Sequence, residues 1–202
     1  SGMIDPNPMG AFIAHDALPS VETLRLRGGA VVTVRPAGPG DGDIIQSYIR
    51  GLSPSSRRNR FLGALNALSA AELYRMTHSE YRRRLTLIAG TVVDGACTMI
   101  GEARGALAPD GLSVEVALSV AETWRRKTLG TQLLGILVRQ ARSLGVDCVM
   151  ADVLHSNHAM MALARKIGFS VATPIGDARL MQLITNFSPP DSKRGYAELR
   201  PS

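Results

Sequence analysis

Residues 112–144 read LSVEVALSVAETWRRKTLGTQLLGILVRQARSL, and this stretch decides the fold. Its first nine residues alternate. Val114, Val116, Leu118 and Val120 fall on one side and Ser113, Glu115, Ala117 and Ser119 on the other, the two-residue period of a strand. From Gly130 the period lengthens. Leu133, Leu134, Leu137, Val138, Ala141 and Leu144 form one stripe of a helix, with Gln132, Arg139, Gln140 and Arg142 off it. Between the two lies a short turn, Trp124-Arg-Arg-Lys-Thr-Leu-Gly130. A strand feeding straight into a helix gathers unpaired amides and the positive end of the helix dipole at one point, which suits an anionic phosphate. Arg125, Arg126 and Lys127 add charge of the same sign. An ordinary strand-to-helix turn with solvated cations has the same outline. Gly130 would serve equally to admit a ligand or to relieve crowding.

Downstream, Gly145 offers a left-handed helix stop, Val146–Leu154 a strand, and Asn157–Ile167 a second helix ended by Gly168. Phe169–Val171 and Arg179–Ile184 read as closing strands. Upstream, Ala30–Val34 is a strand of β-branched residues stopped by Arg35-Pro36. Asp43–Leu52 is a helix with Ile44, Ile45, Tyr48, Ile49 and Leu52 on one face. Ser69-Ala-Ala-Glu72 is a capping box opening a short helix through Met76. Leu85–Val93 and Cys97–Leu107 are strands joined at Asp94-Gly95, a hairpin turn signal. Antiparallel meanders first and strand–helix–strand units second predict a mixed sheet with helices on its faces, an α/β (α+β) domain. The organisation expected is an N-terminal arm over 1–28 with a short strand at Val21–Leu26, a single domain over 29–187, and a Pro-containing tail over 188–202. Ser1-Gly2 before Met3 reads as a cloning remnant.

With 202 residues, 45% of them hydrophobic and 20% charged, the chain can bury a core and is not of disordered composition. No stretch reaches a membrane span and no secretory leader is visible. Cys97 and Cys148 sit in apolar surroundings and predict two buried thiols in a reducing compartment, hence a cytoplasmic location. The net charge of +6 suits an anionic ligand or nucleic acid. Aromatics at 4% supply few stacking platforms, and no helix–turn–helix or RNA-binding signature occurs, so nucleic acid is disfavoured. His155 and His158 are spaced i, i+3 with only Asp152 nearby, too few ligands for a metal site. The runs Arg57-Arg58-Asn59-Arg60 and Arg82-Arg83-Arg84 read as solvated faces that could also grip a phosphate or an acidic patch.

The turn Arg125-Arg126-Lys127-Thr128-Leu129-Gly130 resembles the acyl-CoA loop of the GNAT acetyltransferase superfamily, Gln/Arg-x-x-Gly-x-Gly/Ala, with Thr128 in place of the central glycine. Asn157-His-Ala-Met-Met-Ala-Leu-Ala-Arg-Lys-Ile-Gly168-Phe169 is similar to that superfamily's next motif in length and ending. The segments Leu52–Phe61, Leu68–Leu73 and Tyr81 resemble the GNAT domain of bacterial protein lysine acetyltransferases. The resemblance covers about residues 30–186 on a single-domain length. It implies a GNAT-like, mostly antiparallel central sheet with helices on both faces, and acetyl-CoA as donor. Leu118, Ser119 and Val120 would pair with the pantetheine arm like an added strand. Arg125, Arg126, Lys127, Thr128, Leu129, Gly130 and Thr131 would hold the diphosphate, and Asn157 would contact the arm.

Acetyl transfer to an amine needs a bound thioester, a neutral amine and a stabilised oxyanion. Glu115 is the candidate base. It is a carboxylate among valines, with the raised proton affinity that burial gives, and the resembled enzymes carry a glutamate base at the matching place. A solvent-facing glutamate on a half-exposed sheet is its bland reading. Glu102 is the runner-up, read as a surface residue bridged to Arg104 or another neighbour. The tyrosine acid of many GNAT enzymes is replaced by Ala164, so no acid is assigned. The acceptor implied is a protein lysine side chain. A small-molecule amine remains an alternative, as does a non-catalytic acyl-CoA sensor, which Thr128 and Ala164 favour. Oligomeric state is open, a homodimer included.

Overall fold

The computed structural model of the chain describes residues 20–80, 82–172 and 176–187. The alternating segment is a strand, β5 (Ser113–Val120). A single turn of 3-10 helix at Glu122–Trp124 carries it to α4 (Leu129–Ser143). The remaining strands are β1 (Glu22–Arg25), β2 (Val31–Pro36), β3 (Arg84–Val93), β4 (Ala96–Leu107), β6 (Cys148–Leu154), β7 (Ser170–Ala172) and β8 (Leu180–Asn186). They form one sheet in the order β1-β2-β3-β4-β5-β6-β8-β7. Only β5 and β6 run parallel, because α4 is the crossover between them; every other neighbouring pair is antiparallel. This is the mixed, mostly antiparallel sheet expected.

Local chemistry sets the ends of these elements. Asp94 (φ 49°) and Gly95 (φ 79°) both take positive φ, as a type I′ turn between β3 and β4 requires. Helices α1 (Gly42–Gly51), α2 (Pro54–Phe61) and α3 (Ala70–Thr77) lie between β2 and β3, and α5 (His158–Lys166) lies between β6 and β7. The Ser69–Glu72 box caps α3 reciprocally. Helix α2 was not foreseen. It opens with Ser53 as N-cap and Pro54 in the first turn, a start signal, but it carries no apolar stripe.

The pleat divides the core in two. Val32, Val34, Leu87, Ala89, Val114, Val116 and Val120 face α4 and α5, whose Leu133, Leu134, Leu137, Met161 and Ala164 fill that side. Ile88 and Met99 face the other side, against Ile45, Tyr48 and Ile49 of α1 and Met76 of α3. Helices therefore cover both faces. Strand β1 starts before residue 29 and pairs with β2, and Leu26 just after it is 3% exposed, so this part of the predicted arm belongs to the sheet. The segments 1–19 and 188–202 lie outside the described residues.

The cysteines differ from expectation. Cys97 is exposed beside the β3–β4 turn, Cys148 is half-buried, and both are free thiols. Among the described residues no helix is long and apolar enough to cross a membrane, and no cluster of three His, Cys, Asp or Glu side chains could hold a metal.

Candidate active site

Strands β5 and β6 pair only from Ser113 to Glu115, against Cys148 to Met150, and then part. Beyond Glu115 the β6-facing edge of β5 has no strand partner. The cleft that opens there has a volume of about 640 Å³. Leu118, Ser119 and Val120 form one wall. Arg125, Arg126, Thr128, Gly130 and Thr131 form the end at the start of α4, and Asn157, Met160 and Leu163 of the α5 region form the opposite wall. These segments, distant in sequence, were the ones expected to meet.

The turn at the start of α4 is built to leave its amides open. Arg126 (φ 60°) and Thr128 (φ 74°) are both left-handed, so successive amides curl into a concave nest. Thr128 is the N-cap of α4, yet its side chain does not cap; it donates instead to the Lys127 carbonyl and accepts from Gln132 Nε2 at 3.1 Å. Among the described residues, no amide from Arg126 to Thr131 finds an acceptor until Gln132 N bonds the Thr128 carbonyl at 3.0 Å. A β-branched residue at positive φ is strained by about 1–2 kcal/mol. Thr128→Gly is therefore expected to raise stability by about 1 kcal/mol in urea titration without loss of donor affinity. A fall in stability would mean that the threonine's own hydrogen bonds outweigh the strain.

Gly130 has a packing role. A Cβ there would sit 2.6 Å from Leu163 Cδ1. Of the two readings open for this glycine, relief of crowding is the one seen. Since Leu163 lines the cleft, Gly130→Ala should push it inward. The expected result is roughly 10-fold weaker coenzyme A binding, with an overpacking cost of about 1–2 kcal/mol partly offset by alanine's helix propensity. Adding Leu163→Ala should restore the affinity. Unchanged binding in the single variant would show that Leu163 yields elsewhere.

The other predicted residues are disposed unevenly. Leu129 is 1% exposed, so only its amide can serve. The Lys127 ammonium lies 4.6 Å over the Trp124 ring rather than in the cleft. Arg125 lines the cleft, but it is tied back to Ser56 Oγ at 2.7 Å and to the Val120 carbonyl at 3.2 Å. Ser56 in turn donates to Glu122. Desolvation raises the proton affinity of Glu122, but the hydrogen bonds from Ser56 and Ser53 outweigh it and bring its pKa down to about 2. Asn157 Oδ1 accepts from Met160 N at 3.2 Å as the cap of α5, which leaves its Nδ2 donor for a ligand. Arg27 and Lys166 also line the cleft and were not anticipated. Lys166 lies within the Asn157–Phe169 motif, whereas nothing in the sequence around Arg27 marks it. Ala164 is a fully buried methyl with no proton to give, and His155 and His158 are exposed.

Two carboxylates lie in surroundings other than those expected. Glu115 is exposed, at the apex where β5 and β6 part; its valine neighbours belong to the opposite face. The apolar setting predicted for it is absent. Arg60 and Arg104 lie near enough for its charge to act on them. Glu102 is not a surface residue and does not pair with Arg104. It is 0% exposed, and both its oxygens accept from Arg60, at 2.6 and 2.9 Å. Ser119 Oγ also donates to it at 2.6 Å and is 3.1 Å from the Tyr48 hydroxyl. Burial, then the Glu102 charge, push the Tyr48 phenol up, so it stays neutral. A carboxylate held by three donors and shielded from solvent is a scaffold for the cleft floor. Of the Arg57–Arg60 run only Arg58 is exposed to solvent: Arg57 bonds the carbonyls of Arg50, Leu52 and Leu65, and Arg60 is buried against Glu102.

The model of the acetyltransferase (GNAT) family matches residues 60–169, the stretch that carries the open β5 edge and the nest of free amides. The chain belongs to this family. The GNAT chain is 28% identical to a curated acetyltransferase of Pseudomonas aeruginosa over 159 residues, 79% of this chain and 84% of that one. Its fold is similar to the GNAT domain of S. lividans PAT (TM-score 0.75, 24% identity, 82% and 96% of the two chains). It is also similar to a cAMP-binding acyltransferase from Mycobacterium smegmatis (TM-score 0.56, 21% identity), covering 89% of this chain and 51% of that one. The protein is an acyltransferase, and acetyl-CoA is the donor its family uses. The residues present fit that donor in their chemistry: open amides and the Arg126 cation would suit a diphosphate, and a free strand edge would suit an amide-bearing arm.

Proposed function

We propose that this enzyme acetylates the side-chain amine of a lysine in a protein, by direct attack on the bound donor. The donor supplies an activated acetyl thioester. The amides from Arg126 to Thr131 hold its diphosphate; Arg126, Arg27 and Lys166 complement that charge. The free edge at Leu118–Val120 aligns the arm, Asn157 Nδ2 donates to it, and a β5 amide near Leu118 faces the developing oxyanion. Glu115 takes the proton from the attacking amine, directly or through water.

The observation that carries this reading is the position of Glu115. It stands at the apex of the splay, on the solvent side, three residues along the strand from Leu118. A long lysine side chain can reach such a site from outside, while Glu102 is sealed beneath it. A domain over 29–187, joined at least by β1, and a cytoplasmic location complete the reading; the two free thiols fit a reducing compartment.

Thiol release from acetyl-CoA with a panel of lysine peptides, amino acids and polyamines tests it, with mass spectrometry to locate the acetyl group. Acetyl-lysine formed with peptides at rates well above those with free amines is the expected result. Turnover of small amines alone would move the enzyme to the small-molecule alternative. Donor binding with no turnover of any acceptor would leave the sensor alternative.

A further inference from the structure

The sheet face that carries Glu115 also carries a cation without a counterpart. On β4, Arg104 alternates to the same side as Glu102 and Ala106. It is half-buried, its Nε is fully enclosed without a hydrogen-bond partner, and it forms no ion pair among the described residues. Thr86, opposite Arg104 in the β3–β4 register and 1% exposed, has an unpaired Oγ1. Ser113, two residues before Glu115 and 3% exposed, has another. Buried polar groups in folded proteins are nearly always paired, so the enclosed Nε marks Arg104 as a cation that its own strands leave unmatched.

The register sets the geometry. Arg104 lies opposite Ala117 on β5, and Ala106 opposite Glu115. Arg104 and Glu115 are therefore diagonal neighbours, about 7–8 Å apart along such a pair. Ala106 and Ala117, both half-buried, are the strand residues between them, so the patch has small side chains at its centre. Burial first, then the charges of Arg60, Arg84 and Arg75, act against the Arg104 cation, while Glu115 acts in its favour. Arg60 is neutralised by Glu102, and Arg84 by Glu80 at 3.5 Å. Arg104 and Arg75 make no ion pair among the described residues. A planar guanidinium with free donors is matched by a carboxylate.

We propose that this patch of β4 and β5 binds a carboxylate of the acceptor, an aspartate or glutamate side chain close in sequence to the lysine being acetylated, with Arg104 as the anchoring residue. This rests on the lysine reading above and adds the class of lysine site chosen. Arg104 then acts on acceptor specificity, and Glu115 on the proton.

The test uses two lysine peptides that differ only by Glu or Gln beside the lysine. Their kcat/KM values are measured, along with their binding to the enzyme–coenzyme A complex by fluorescence anisotropy. In the wild type the Glu peptide should bind and react roughly 10-fold better, and added salt should erode the difference. In Arg104→Gln the two peptides should become equal, while Arg104→Lys should keep part of the preference. Equal binding of both peptides to the wild type overturns the proposal, whatever the variants do. A preference that survives Arg104→Gln overturns it as well. Binding of the Glu peptide without acetylation would uphold the anion site and overturn the lysine reading. A free amino acid bound in preference to both peptides would assign the carboxylate to a small acceptor and overturn the proposal.

Discussion

Glu115→Gln is expected to lower kcat by about 10²–10⁴ while leaving coenzyme A binding unchanged. The glutamine keeps the shape of the side chain and removes its ability to take a proton. Glu115 is exposed and is not among the residues that line the cleft, so neither fold nor donor affinity should respond. The variant should regain rate at high pH, where a larger fraction of the acceptor amine is already neutral. Stopped assays across pH, alongside isothermal titration with coenzyme A, would read both halves. Full activity at neutral pH would remove Glu115 from the proton path, and a matching loss of donor affinity would show that its effect is structural.

Glu102→Gln should do the opposite, with its largest effect on stability. Arg60 Nε and Nη2 both bond the Glu102 carboxylate, and neither side chain is more than 7% exposed. Removing the negative charge leaves a buried cation unmatched, a loss of about 3–5 kcal/mol. In a chain of this size that is a fall in Tm on the order of 10 °C. Donor binding should weaken too, because Ser119, which Glu102 holds, lines the cleft. Arg60→Met combined with Glu102→Leu should recover much of the stability, since well-packed apolar residues can replace a buried pair. Urea unfolding at constant m would measure this. A single variant within 1 kcal/mol of the wild type would refute the importance given to the pair.

Most of the architecture was readable where local chemistry determines it. The alternation of Leu112–Val120, the stripe from Leu133 to Leu144, the Ser69–Glu72 box and the Asp94–Gly95 turn each encode their conformation within a few residues. Helix α2 escaped because its sequence, PSSRRNRF, has no apolar face. It is held by polar bonds to groups outside the helix, Arg57 to the Leu65 carbonyl and Arg60 to Glu102, the latter 42 positions away. The same non-local pairing hid Glu102, which on its own strand looks like any surface carboxylate. Glu115 was located by resemblance, but its surroundings were misjudged: flanking valines in a strand lie on the other face and cannot desolvate it. The unpartnered state of Arg104 depends on what three strands fail to supply, and one strand's sequence cannot reveal it.

The parting of β5 and β6 also has a mechanical side. Strands β1–β5 and β6–β8 meet through three residue pairs at the apex and through α4 and α2, each packed against both β5 and β6. That seam is where the free enzyme should breathe most readily. Amides on either bank should exchange hydrogen with solvent faster than those of the β3–β4 ribbon. A bound donor lying along the seam would act as a stitch, slowing exchange on both banks together, so the substrate would be for part of each turnover a structural member of the sheet it reacts on.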